Sequence, residues 1–164
     1  MGATFTVIAA RGTKQPGDIA QLDRIDGGDD WSLFRPVDRF AYPSTIRDLT
    51  LEAATSVDGV ALAGFVADSD YGYLLAATSE GALVWLLIDP DAAEEFAEGS
   101  EALQLSSPQT GDEPERFALW SQVTPRPVDA DALREVLEQD SLFSEEPMMA
   151  IFERLDIQVP WDDV

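Results

Sequence analysis

The sequence predicts an α+β fold in which a mainly antiparallel sheet packs with about four helices. Three observations lead there. Val60–Ala67, Tyr71–Thr78 and Ala82–Ile88 are β-rich runs separated only by Asp68-Ser69-Asp70 and Ser79-Glu80-Gly81. Connections this short suit hairpins and cannot carry a parallel crossover. Apolar and polar residues also alternate near the N-terminus, and apolar residues return at helical spacing after residue 128. The three central runs read as a meander over residues 60–88, and the chain of 164 residues as a single acidic α+β domain.

The first element expected is a strand over Ala3–Ala10, where Phe5, Val7 and Ala9 alternate with Thr4 and Thr6. Residues 12–30 carry the breakers Pro16-Gly17 and Gly27-Gly28, with a short helical turn around Ile19–Ile25. Trp31, Leu33 and Phe34 form an apolar patch ending at Pro36. Pro43 and Ser44 open a helix through Ser56 that places Ile46, Leu49 and Ala53 on one face, with Ser44 or Thr45 as its cap. Ala82–Ile88 is apolar at every position, which assigns it to the sheet centre with both faces covered. Asp89-Pro90 is a helix start, and that helix runs to Glu98 and stops at Gly99.

Ala102–Leu105 and Phe117–Val123 read as further strands around the polar loop Ser106–Pro114, with Pro125 and Pro127 ending the sheet. Two helices close the chain. Asp129 or Asp131 caps the first, whose stripe is Leu133, Val136 and Leu137. Ser144 caps the second, with Glu145 and Glu146 at its positive end and Met148, Ile151, Phe152 and Leu155 facing the core.

Composition removes most catalytic chemistry. The chain carries a formal net charge of −22 with no histidine and no cysteine, and Lys14 is its single lysine. Histidine-based triads, imidazole bases, ordinary zinc sites and disulfides are therefore excluded. Lys14 follows Gly12-Thr13 in a turn-rich stretch that lacks the phosphate-loop spacing and offers no desolvation for a Schiff base. Asp68-Ser69-Asp70-Tyr71-Gly72 misplaces the glycine of a calcium loop and has serine, Ser79, at its twelfth position. Asp89, Asp91 and Glu94 could face one magnesium ion, but a helix start favours such acids without any metal. No catalytic residue, cofactor or metal is assigned. The chain shows neither a leader-like N-terminus nor an apolar run of the roughly 20 residues that cross a bilayer, so a cytoplasmic location is expected.

The charge is uneven. Residues 1–88 hold 12 acidic and 6 basic side chains, whereas residues 89–164 hold 20 and 4. A field of this sign slows approach to phosphate backbones and draws in cationic partners, and the ten scattered basic residues form no nucleic-acid-binding stripe. The expectation is a non-enzymatic acidic binding or inhibitor protein whose partner presents a basic surface. Small acidic α+β immunity proteins that neutralise a cognate bacterial toxin behave in this way, an analogy of size and charge. Glu94, Glu95, Glu98, Glu101, Glu145 and Glu146 are the partner-binding candidates, with Trp161 as an aromatic anchor beside Asp162 and Asp163. The plainer account of Trp161 is that it packs back and tethers the chain end. Three alternatives remain: a nucleic-acid mimic that also uses Glu113 and Glu115, a carboxylate- and metal-dependent hydrolase, and acidity that reflects a whole acidic proteome.

Overall fold

The computed structural model of the chain describes residues 2–26, 30–98 and 109–164. Strands β1 (Phe5–Gly12), β2 (Leu22–Ile25), β3 (Ser32–Pro36), β4 (Gly59–Ala67), β5 (Tyr71–Thr78) and β6 (Leu83–Leu87) form one sheet in the order β2-β3-β1-β4-β5-β6. Every neighbouring pair is antiparallel. Helices α1 (Pro43–Val57), α2 (Pro90–Ala97), α3 (Glu113–Ser121), α4 (Ala130–Glu138) and α5 (Glu145–Arg154) pack on it, and a 3₁₀ turn at Trp161–Asp163 ends the chain.

The meander forms as expected, with Ala63 opposite Leu75 and Leu75 opposite Trp85. Its third strand is placed differently. Among the described residues β6 is the outermost strand of the sheet, although Val84, Trp85 and Leu86 are buried on its two faces. Face coverage comes from helices, and two side chains reach the outer edge. Arg116 Nη2 donates to Leu83 O at 3.0 Å and Gln109 Nε2 donates to Trp85 O at 3.4 Å, which occupies carbonyls that an open edge would offer to another strand.

Three further expectations change. Leu22–Ile25 is a strand, not part of a helical turn, because Leu22 and Ile25 pair with Pro36 and Leu33 of β3. The span Phe117–Val123 is not a strand: α3 covers it as far as Ser121. Its aromatic residues suit either period, but Phe117 and Trp120 at helical spacing are what bury, and Trp120 Nε1 donates to Ala77 O of β5 at 2.9 Å. Among the described residues the last strand of the sheet ends at Leu87, well before Pro125 and Pro127. The strand expected at Ala102–Leu105 lies outside the described residues.

Caps differ in detail. Tyr42 occupies the α1 N-cap without a side-chain bond, Asp129 rather than Asp131 caps α4, and Ser144 holds the α5 N-cap position without a capping side-chain bond.

The sheet is the middle of three layers. On one face Val7, Leu62, Leu74 and Leu86 meet Phe117, Leu133, Met148 and Phe152 from α3, α4 and α5. On the other, Ile8, Ala61, Leu75 and Trp85 meet Ile46, Leu49 and Ala53 of α1 and Ala93 of α2. Apolar runs without alternation usually mark parallel sheets buried on both faces. Here helices on both sides impose the same pattern on an antiparallel one.

Two glycines set how closely α5 approaches. A Cβ at Gly64 would lie 2.7 Å from Met148 Sδ and 2.9 Å from Phe152 Cε2. One at Gly72 would lie 3.0 Å from Ile88 Cδ1 and 3.2 Å from Ser144 Cβ. The bare backbone of β4 and β5 thus seats the helix and brings its first turn to the β4–β5 turn.

Candidate functional site

Three connections converge at this end of the sheet: the β4–β5 turn, the β6–α2 junction and the α4–α5 loop. The β4–β5 turn has left-handed Asp68 (φ 53°) and Ser69 (φ 62°), with Asp70 N donating to Ala67 O at 3.3 Å. Positive φ at both central residues with this bond is the signature of a type I′ turn, inside a three-residue connection between the paired Ala67 and Tyr71. Ser69 is the buried hub of the region. Its N–H donates to Ala3 O at 3.0 Å, its Oγ accepts from Ala3 N at 2.7 Å, and its carbonyl accepts from Ser144 N at 2.8 Å. Its hydroxyl donates to Glu145 Oε1 at 2.9 Å. The N-terminal strand lead-in and α5 are thereby clamped to one turn.

At the second connection Asp89 Oδ1 accepts from Asp91 N at 3.1 Å and Ala92 N at 3.0 Å, satisfying the first free amides of α2. At the third, Leu142 and Phe143 stand 85% and 49% exposed in the link between α4 and α5. Between the three connections lies a cleft of about 640 Å³, whose lining includes Asp70, Tyr71, Asp89, Glu95, Leu142 and Phe143. Among the described residues, no lysine or arginine lines it. Burial pushes the Tyr71 hydroxyl up to about 12, so it stays protonated beside the cleft at any working pH.

The expected binding residues divide. Glu94, Glu95 and Glu98 are exposed on or just after α2, and Glu95 lines the cleft. Glu146 is exposed at the start of α5. Glu145 bonds inward to Ser69, and its other oxygen is buried without a hydrogen-bond partner among the described residues. Its place in the first turn of α5 lets the free amides there favour the charge. Glu101 lies outside the described residues.

Trp161 packs edge-on against Phe5 at 5.6 Å and Phe152 at 5.5 Å. Asp162 and Asp163 are exposed, and Asp163 O accepts from Arg35 Nη1 at 3.0 Å. Trp161 also lines a second depression of about 440 Å³ with Arg126, Met149 and Glu153. That depression shares no lining residue with the cleft. Trp161 and Glu95 therefore line separate depressions.

Two carboxylates of the phosphate-mimic reading are occupied. Glu113 is only 4% exposed and accepts from the Thr110 and Gly111 N–H groups. Burial pushes its carboxyl up, but those backbone bonds, its own N–H and the Thr110 hydroxyl outweigh this and hold it below 4.5. Glu115 pairs with Arg134, whose guanidinium hydrogen bond lowers the Glu115 carboxyl. Among the described residues, no three His, Cys, Asp or Glu side chains are grouped so as to hold a metal ion, and no helix is long and apolar enough to cross a membrane.

Sequence reasoning missed Asp70, Leu142 and Phe143 as parts of one site. The signal for the last two was present: large apolar neighbours between Ser141 and Ser144, off the stripes of both flanking helices. Comparison with protein-family models, curated protein sequences and solved structures found no match.

Proposed function

We propose that this chain is a non-enzymatic, cytoplasmic binding protein that inhibits a protein partner with a basic surface, as an immunity protein neutralises a bacterial toxin. The observation that carries the reading is the charge on α2. Glu94, Glu95 and Glu98 are exposed and make no ion pair among the described residues. Asp91 and Glu95, like Glu94 and Glu98, are four residues apart, and the last turn of α2 carries no basic residue.

Each such like-charge pair disfavours a helix by about 0.2–0.5 kcal/mol, and acids near a helix C-terminus oppose its dipole. Asp91 in the first turn suits the helix start, but Glu95 and Glu98 near the other end gain nothing locally. A basic partner would turn the same repulsion into attraction and speed encounter.

The test uses a partner captured from the native cell and measures its association rate across a salt series. Screening acts over about 10 Å at 0.1 M, so association slows steeply as salt rises. Glu94→Gln, Glu95→Gln and Glu98→Gln together slow it more than Asp18→Asn, Asp23→Asn and Asp26→Asn together. Equal, small effects with weak salt dependence would assign the acidity to background composition.

A further inference from the structure

We propose that the cleft between the β4–β5 turn, α2 and the α4–α5 loop is the socket for one partner segment, a loop or helix end presenting arginine or lysine beside an aliphatic side chain. The proposal rests on the binding reading above and gives it a place and a chemistry. The apolar half of the argument is Leu142 and Phe143. They are 85% and 49% exposed, line the cleft and belong to neither core cluster. Folding leaves two large adjacent apolar side chains in water, in a link otherwise built from Gln139, Asp140, Ser141 and Ser144. Adjacent apolar side chains left exposed at the mouth of a cleft are available for contact.

The charged half is Asp70, Asp89 and Glu95. All three are exposed, all line the same cleft, and no basic side chain among the described residues shares the lining. A cation entering there displaces no basic side chain from the wall, although Asp89 Oδ1 is already shared with the α2 amides. The volume of about 640 Å³ admits a few side chains rather than a whole domain face. The walls are also fixed in advance: Ser69 is tied to Ala3, Ser144 and Glu145, and Asp89 is committed to the α2 amides. A pre-organised wall lowers the ordering cost of association.

Charge selects among occupants. A second copy of this chain brings another −22 to the interface and is repelled. A purely apolar segment would leave the carboxylates desolvated and unpaired. A small polyamine would satisfy the acids and ignore Leu142 and Phe143.

The probe is a labelled hexapeptide of alternating arginine and leucine, with a second peptide carrying citrulline for arginine, followed by fluorescence anisotropy at low and high salt. The intact chain binds the arginine peptide and not its citrulline counterpart. Leu142→Ser with Phe143→Ser weakens binding about tenfold or more and leaves its salt slope unchanged. Asp70→Asn with Glu95→Gln weakens it and flattens the slope. Both double variants keep the unfolding temperature of the parent, which separates lost binding from lost folding.

Salt-dependent binding that is equal in all variants overturns the socket while leaving the acidic-binding reading intact. No binding at low salt overturns the socket as well, and the association test with the captured partner then decides the broader reading. Spermine binding that displaces the peptide and is unaffected by the two serine substitutions replaces the socket with a small-cation site. Self-association that those substitutions abolish replaces it with a dimer contact.

Discussion

Replacing Gly64 with alanine sets strand propensity against packing, and the two give opposite signs. Glycine within a strand is less stable than alanine by about 0.5–1 kcal/mol, so local preference alone makes Gly64→Ala stabilising. The structure places Met148 Sδ 2.7 Å and Phe152 Cε2 2.9 Å from the new Cβ. Both side chains are 0% exposed, and the Phe152 ring lies edge-on to Trp161 at 5.5 Å, so neither can simply retreat. Overpacking a well-filled core costs about 1–3 kcal/mol. The net expectation is a loss of about 1–2 kcal/mol, or about 2–8 °C in unfolding temperature at this chain length.

Thermal and urea unfolding followed by tryptophan fluorescence measures it, since the chain holds four tryptophans. Gly17→Ala is the comparison, because a Cβ there meets nothing within 4 Å, and it should unfold at or slightly above the parent. Adding Phe152→Leu to Gly64→Ala should show a favourable coupling of about 0.5 kcal/mol or more. If Gly64→Ala is as stable as Gly17→Ala, the glycine does not set the approach of α5 and the argument fails.

Tyr73 is 0% exposed and its hydroxyl has no partner among the described residues, so Tyr73→Phe should raise stability by about 1 kcal/mol in urea unfolding. A fall would show that the hydroxyl is bonded. Glu113 has its carboxyl held below 4.5, so its stabilising contribution is present above that pH and disappears as pH falls through the depressed value. The stability gap between the parent and Glu113→Gln should accordingly be constant near neutrality and close in acid; a gap that widens in acid contradicts the sign. Trp161→Ala removes ring contacts to Phe5 and Phe152, each aromatic pair worth about 0.5–1.5 kcal/mol beyond area burial, and should lower the unfolding temperature measurably. Asp89→Ala leaves the Asp91 and Ala92 amides uncapped and should cost about 1 kcal/mol, read by the same unfolding assay.

The sequence by itself determined the meander, because Asp68-Ser69-Asp70 and Ser79-Glu80-Gly81 leave too little chain for anything but antiparallel neighbours. It also determined α1, α2, α4 and α5, whose proline or acidic starts and apolar stripes are local signals. Tertiary structure alone decided where β6 sits, since an apolar strand reports that its faces are covered and is silent on whether its edge is paired. It decided α3 as well: Phe117 and Trp120 satisfy strand propensity, and the helical choice buries both rings on the sheet and bonds the Trp120 indole to Ala77. The candidate site belongs to the same class. Asp70, Asp89, Leu142 and Phe143 come from three connections and Glu95 from α2, and they meet because Gly64 and Gly72 allow α5 to lie against the sheet with its first turn beside Ser69. Charge and exposed apolar residues are composition and can be read along a chain; their convergence is a property of packing, which no local pattern carries.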